Sequence, residues 1–161
     1  MSWLKLPKEF ILVLATYLLT KVSMPEHIVD TGPLAGWINR RDQWHAWCVS
    51  VMEELIPPLL TCESVIAETA WHLRHSRTAV DQLYGLVEAG ALRMVELLPE
   101  HMPHLRALSA KYPQMDFCDA ALVRLSEMHP RAVVLTTDTA HFAIYRRFQN
   151  KRIPLLHPNQ R

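Results

Sequence analysis

The stretch MDFCDAALVRL places Asp116 and Asp119 three residues apart, at the head of a helically spaced apolar pattern formed by Phe117, Ala120, Ala121, Leu122, Val123 and Leu125. Residues three apart share a helix face, so the two carboxylates are neighbours. Unit charges about 4 Å apart repel by about 4 kcal/mol at an effective dielectric near 20. Several such pairs would threaten a domain whose net stability is about 5–15 kcal/mol. Three arrangements answer the cost of this doublet, and the first is that the carboxyls take up protons. Asp116 can cap the helix with Asp119 in its first turn, favoured by the helix dipole; or a divalent cation can neutralise both.

Three further acids bear on that choice. Asp30 closes the apolar run HIVD, Asp138 follows AVVLTT, and Glu68 lies in IAETAW, where an unpaired carboxylate would be poorly solvated. Asp30, just ahead of Thr31-Gly32-Pro33, has a capping alternative of its own. If the runs ending near Asp30 and Asp138 are parallel strands, their carboxyl ends share the sheet edge where ligands bind. Oxygen-only donors favour Mg²⁺ or Mn²⁺ over zinc. The nine histidines offer His72-x-x-His75 and His45-x-x-Cys48, and neither has a second paired motif at a convincing distance.

The elements that must position these acids follow from hydrophobic period. Short apolar runs at 27–30, 59–61, 91–97, 132–137 and 152–156 read as strands, alternating with helical patterns around 32–40, 43–56, 63–75, 78–89, 100–111, 116–129 and 139–148. Pro57-Pro58, Gly90, Pro99, Pro113 and Pro130 fall at the breaks. Strands alternating with helices predict an α/β fold with a largely parallel sheet.

Length and composition bound the function. At 161 residues the chain suits one domain. A formal net charge of +1, from 17 basic and 16 acidic residues, gives no global field for nucleic acid, so any such contact must be local. Three widely spaced cysteines without a CxxC pair fit a reducing, cytoplasmic setting. The run Phe10 to Leu19 is ten residues, about 15 Å as a helix, too short for a bilayer core of about 30 Å. Residues 1–23 are expected to form an arm, or an extension ahead of a start at Met24, and 24–161 the domain.

IVDTGPLAGWINRRDQWHAW, LLTCESVIAETAWHL, MDFCDAALVRLSE and VVLTTDTAHFAIYR together resemble the PIN-domain ribonucleases, most of all the VapC-type toxins of bacterial toxin–antitoxin pairs, across roughly residues 27 to 157. The resemblance implies a three-layer α/β/α fold and a Mg²⁺- or Mn²⁺-dependent endoribonuclease acting on RNA. By position, Asp30, Glu68, Asp119 and Asp138 match the family's metal-binding catalytic acids, and Asp116 an acid of one branch. Thr137 resembles its hydroxyl beside the metal, with capping of the next helix as the alternative. Where the family often carries a further acid before an aromatic, this chain has His141 ahead of Phe142. A cognate antitoxin and a homodimer are the implied partners. Arg40 and Arg41, and Arg146 and Arg147 beside Tyr145 and Phe148, are the basic clusters that would meet RNA. Trp71 and His72 are expected to pack behind Glu68. The alternative function is a catalytically silent PIN-like module for RNA binding or assembly. A dehalogenase-type phosphatase fits less well, since Asp30 lacks the second Asp two residues on.

Overall fold

The computed structural model describes residues 26–159, and the expected arm at 1–23 lies outside them. Five strands and seven helices follow in the order β1 (His27–Val29), α1 (Thr31–Ile38), α2 (His45–Glu54), β2 (Leu59–Thr61), α3 (Glu63–Leu73), α4 (Arg77–Glu88), β3 (Leu92–Met94), α5 (Met102–Lys111), α6 (Phe117–Met128), β4 (Val133–Leu135), α7 (Thr139–Ile144) and β5 (Leu155–Leu156). All strand pairs are parallel, in the order β3-β2-β1-β4-β5. The α/β class with a parallel sheet flanked by helices, expected from the alternation of patterns, is the observed one.

The central strands are apolar because both faces of a parallel sheet are covered by its crossover helices. Ile28 pairs with Leu60 on one side and Val134 on the other, and all three are almost wholly buried. The helix α6 lies deepest, with an unbroken buried run from Ala120 to Ser126. From β1 the chain winds outward through β2 and β3, then returns to the opposite side of β1 as β4. The order therefore reverses between β1 and β4, and the carboxyl ends of those two strands are where open parallel sheets bind ligands. Asp30 follows β1 there, and Thr136 to Asp138 follow β4.

Several elements are shorter than the patterns suggested. The run 91–97 forms a strand only over Leu92–Met94, with one further bond from Val95 N to Thr61 O, before Leu97 turns into the core. Pro154 has no N–H to give the ladder, so β5 begins at Leu155. The run 139–148 stops being α-helical after Ile144, where Tyr145 is extended at φ −64° and ψ 147°. Gln149 and Asn150 then take left-handed φ of 56° and 60° in a short 3₁₀ turn.

Candidate active site

Asp30 occupies the N-cap of α1, and Thr31 N donates to its Oδ1 at 2.6 Å. Its other oxygen, Oδ2, accepts from Thr136 Oγ1 at 2.7 Å, which links the ends of β1 and β4. The Asp30 carboxyl is buried, and burial pushes its pKa up to about 7; Thr136 and the Thr31 amide pull it down, and the charges of Asp119 and Glu68 push it up again. Desolvation and like charge thus act together to disfavour the ionised form. Glu68 reaches this group from the middle of α3, and Thr31 Oγ1 donates to its Oε2 at 2.8 Å.

The doublet at the head of α6 divides its labour. Asp116 is the N-cap, accepting from Asp119 N at 2.8 Å. Asp119, a turn further in, accepts at Oδ2 from Tyr145 OH at 2.8 Å. Its pKa rises to about 6: burial raises it most, the Tyr145 hydrogen bond opposes that, and the charges of Asp116 and Asp138 add to it. Tyr145 is fully buried, and its phenol is pushed upward by burial and by the acid it serves. The phenol therefore stays a donor at neutral pH.

Asp138 caps α7, accepting from His141 N at 3.0 Å, while its Oδ2 meets His141 Nδ1 at 2.7 Å. That contact raises the pKa of His141. The His141 ring stacks on Tyr145 at 6.2 Å and 16°, so Asp138, His141, Tyr145 and Asp119 form one connected rim. Asp30, Glu68, Asp116, Asp119 and Asp138, from the ends of β1 and β4 and from α3 and α6, are thus near enough to perturb one another in the linked pattern just described. Among the described residues no group of three or more His, Cys, Asp or Glu side chains is already arranged as a metal cage. The donor chemistry still suits a hard divalent ion: all carboxylate, mutually repelling, each oxygen able to accept more than the one hydrogen bond named for it.

The PIN domain family profile matches residues 27–151, most of the chain, and all five acids lie within that range. The chain belongs to the PIN domain family. PIN domains are typically nucleases, generally dependent on divalent metal ions, acting on RNA or other nucleic acid. No curated protein matches the chain.

Within this PIN domain several side chains lie elsewhere than the sequence suggested. The hydroxyl beside Asp30 belongs to Thr136, whose Oγ1 also accepts from Asp138 N at 2.9 Å; Thr137 instead packs against Gly32. Trp71 is 59% exposed, with the Arg74 guanidinium 3.8 Å over its ring, so it does not pack behind Glu68. His72 points its Nε2 to 3.9 Å from Glu68 Oε1, on the exposed side of α3. Arg40 and Arg41 are exposed on the turn after α1. Arg146 is drawn onto the carbonyls of Ala143, Ile144 and Tyr145, and Arg147 onto those of Ser126 and Pro130. In each of these bonds the donor is Nη1, which holds both guanidinia against the backbone beside helix ends. Thr31 and Thr136 were not singled out by the sequence, and Tyr145 was placed only beside the basic cluster; the pairing of β1 with β4 and the fold-back of α7 bring them to the acids. His45 meets the Gly36 carbonyl through Nδ1 at 2.8 Å, a structural bond that engages one nitrogen of the His45-x-x-Cys48 pair.

Proposed function

We propose that the protein is a metal-dependent endoribonuclease, the toxin of a toxin–antitoxin pair, that uses Mg²⁺ or Mn²⁺. The observation that carries the proposal is the convergence of Asp30, Glu68, Asp119 and their acidic neighbours, tied together through Thr31, Thr136 and Tyr145 at the switch point of the sheet, where burial and like charge raise the proton affinity of buried Asp30 and half-buried Asp119. Such a set binds cations strongly, because a divalent ion removes the repulsion that protons otherwise remove. Asp30, Glu68 and Asp119 would hold the ion, with Asp116 and Asp138 reached through water or as orienting groups. When bound, the ion supplies polarisation of a scissile phosphate and activation of water.

The chain's own residues do the rest. Thr136 and the Thr31 amide fix both oxygens of Asp30, Thr31 Oγ1 fixes Glu68, and Tyr145 fixes Asp119, so the acids are aimed before any ligand arrives. Arg40 and Arg41 are the exposed cations we assign to the RNA backbone. Attack of water on the phosphorus with the 3′-oxygen as leaving group breaks the P–O3′ bond without using the ribose 2′-hydroxyl, so the products carry a 5′-phosphate and a 3′-hydroxyl. An antitoxin and a homodimer are the proposed partners. The test is incubation of the pure protein with total RNA, with Mg²⁺ or with EDTA, followed by mapping of the ends. Discrete cuts with 5′-phosphates, present with Mg²⁺ and absent with EDTA or in Asp30→Asn, are expected. RNA that is bound and left whole under every condition would instead identify a catalytically silent PIN module.

A further inference from the structure

A cavity of about 280 Å³ lies beside the acids, between the first turns of α3 and α6 and the segment that follows β3. Leu97, Leu98 and Phe117 form its apolar walls; Glu63, Ser64 and Glu96 supply the polar groups. Phe117 and Leu98 are each 44% exposed, so an aromatic ring and an aliphatic side chain face solvent at the mouth. The cavity adjoins the acids along two helices. On α3, Ser64 precedes Glu68 by four residues, about 6 Å of rise, and in the sequence of α6 Phe117 falls between Asp116 and Asp119. Polar contacts join the same places: Ser64 Oγ lies 3.7 Å from Cys118 Sγ, which lies 3.9 Å from Thr31 Oγ1, the donor to Glu68.

The lining selects the occupant. None of the residues lining the cavity is basic, so a phosphate would be repelled there and the RNA backbone must stay outside. An exposed phenylalanine is the surface on which unstacked bases of single-stranded RNA stack. Ionised carboxylates only accept hydrogen bonds, through two adjacent oxygens. Of the four RNA bases only guanine offers two adjacent N–H donors, N1–H and N2–H, on its Watson–Crick edge. The volume falls just below the range for drug-sized ligands and suits one flat ring system.

We propose that this cavity is a base-reading subsite that holds one unstacked guanine of the RNA beside the bond to be cut, stacked on Phe117 and read by a carboxylate of Glu63 or Glu96. This rests on the nuclease assignment above and narrows it to a substrate class: single-stranded or looped RNA with a guanine next to the cut.

The subsite can be tested apart from catalysis. Guanosine, inosine, adenosine and uridine are titrated against the full chain in EDTA, followed by saturation-transfer NMR, and against Phe117→Ala, Glu63→Gln and Glu96→Gln. Guanosine should bind best, and inosine, lacking the 2-amino group, about tenfold weaker. Phe117→Ala should weaken guanosine about tenfold, and one of the two glutamine variants should erase the preference over inosine. Cut sites mapped with Mg²⁺ should be enriched in guanine for the wild type and lose that enrichment in the same variants. Equal binding of all four nucleosides, or no binding at millimolar concentration, overturns the subsite. If RNA is then still cut with an unchanged profile in every variant, the nuclease stands without it. Guanosine selectivity without any cleavage keeps the subsite and removes the nuclease. A dimer that Phe117→Ala converts to monomer, with no nucleoside bound, assigns the cavity to contact between copies.

Discussion

At the scale of single residues, the acids of this PIN domain are held by hydroxyls and by one another's charge. Asp30 shows the consequence most clearly, because its folded-state pKa near 7 stands above the ordinary 3.8. The folded state therefore binds a proton that the unfolded state releases between about pH 4 and pH 7. Across that window, in the absence of metal, stability falls as pH rises. Asp30→Asn cannot ionise and should remove this dependence. In EDTA the variant should gain on the wild type by on the order of 3 kcal/mol between pH 4 and pH 8. Denaturant titrations of both proteins at the two pH values measure it, and parallel curves would show that Asp30 is ionised at little cost. Tyr145 makes a different prediction. Tyr145→Phe keeps the packing and removes the donor to Asp119, so it should cost about 1 kcal/mol of stability and about tenfold in kcat, with Mg²⁺ bound more weakly. A variant with unchanged Mg²⁺ affinity would reduce Tyr145 to a core residue.

At the scale of elements, the site depends on the amino end of α1 lying against the loop after β4. Gly32 makes that approach possible: a Cβ there would fall inside the van der Waals contact distance of Thr137 Oγ1 and 3.3 Å from Thr137 Cβ. The obstacle is a short branched side chain beside its own backbone, which has little room to yield. Gly32→Ala should therefore destabilise the fold by about 1–3 kcal/mol and push Thr136 and Asp138 away from Asp30. Adding Thr137→Ala should restore part of both stability and cleavage; a double variant no better than the single one would put the strain elsewhere. Much of this frame was legible in the sequence. Asp30 and Asp138 stand just past apolar runs, and prolines mark the element ends, so the parallel sheet and the edge that gathers the acids followed from one-dimensional pattern. The hydroxyls did not follow. Successive residues leaving a strand point to opposite faces, so an error of one position moved the expected hydroxyl from Thr136 to Thr137. The backbone contacts of Arg146 and Arg147 were not legible either: the end of α7 at Ile144 and the turn beyond it bring both guanidinia to backbone carbonyls, which charge pattern alone does not encode.

At the scale of the whole molecule, the twelve helices and strands of the described residues run from His27 to Leu156, and none of those helices is long and apolar enough to cross a membrane. A chain starting at Met24 is therefore expected to fold and to cut RNA like the full one; loss of solubility on truncation would place Phe10 to Leu19 in a core or an interface. The central claim concerns the charge balance of the acidic cluster, and thermal melting of wild type and Asp119→Asn, each in EDTA and in saturating Mg²⁺, tests it most directly. Asp119 has a pKa near 6 and its neighbours include Asp116 and Asp138. Asparagine removes the charge at nearly constant volume and keeps an acceptor for Tyr145. In EDTA near pH 8 the variant should melt higher, by about 1–2 kcal/mol less a helix-dipole loss of about 0.3–1 kcal/mol. In Mg²⁺ the order should reverse, because binding at a hundredfold excess over Kd stabilises the wild type by about 2.7 kcal/mol and the variant forfeits most of it. A variant less stable than wild type in EDTA, beside a wild type indifferent to Mg²⁺, would contradict the account and leave the carboxylates as helix caps.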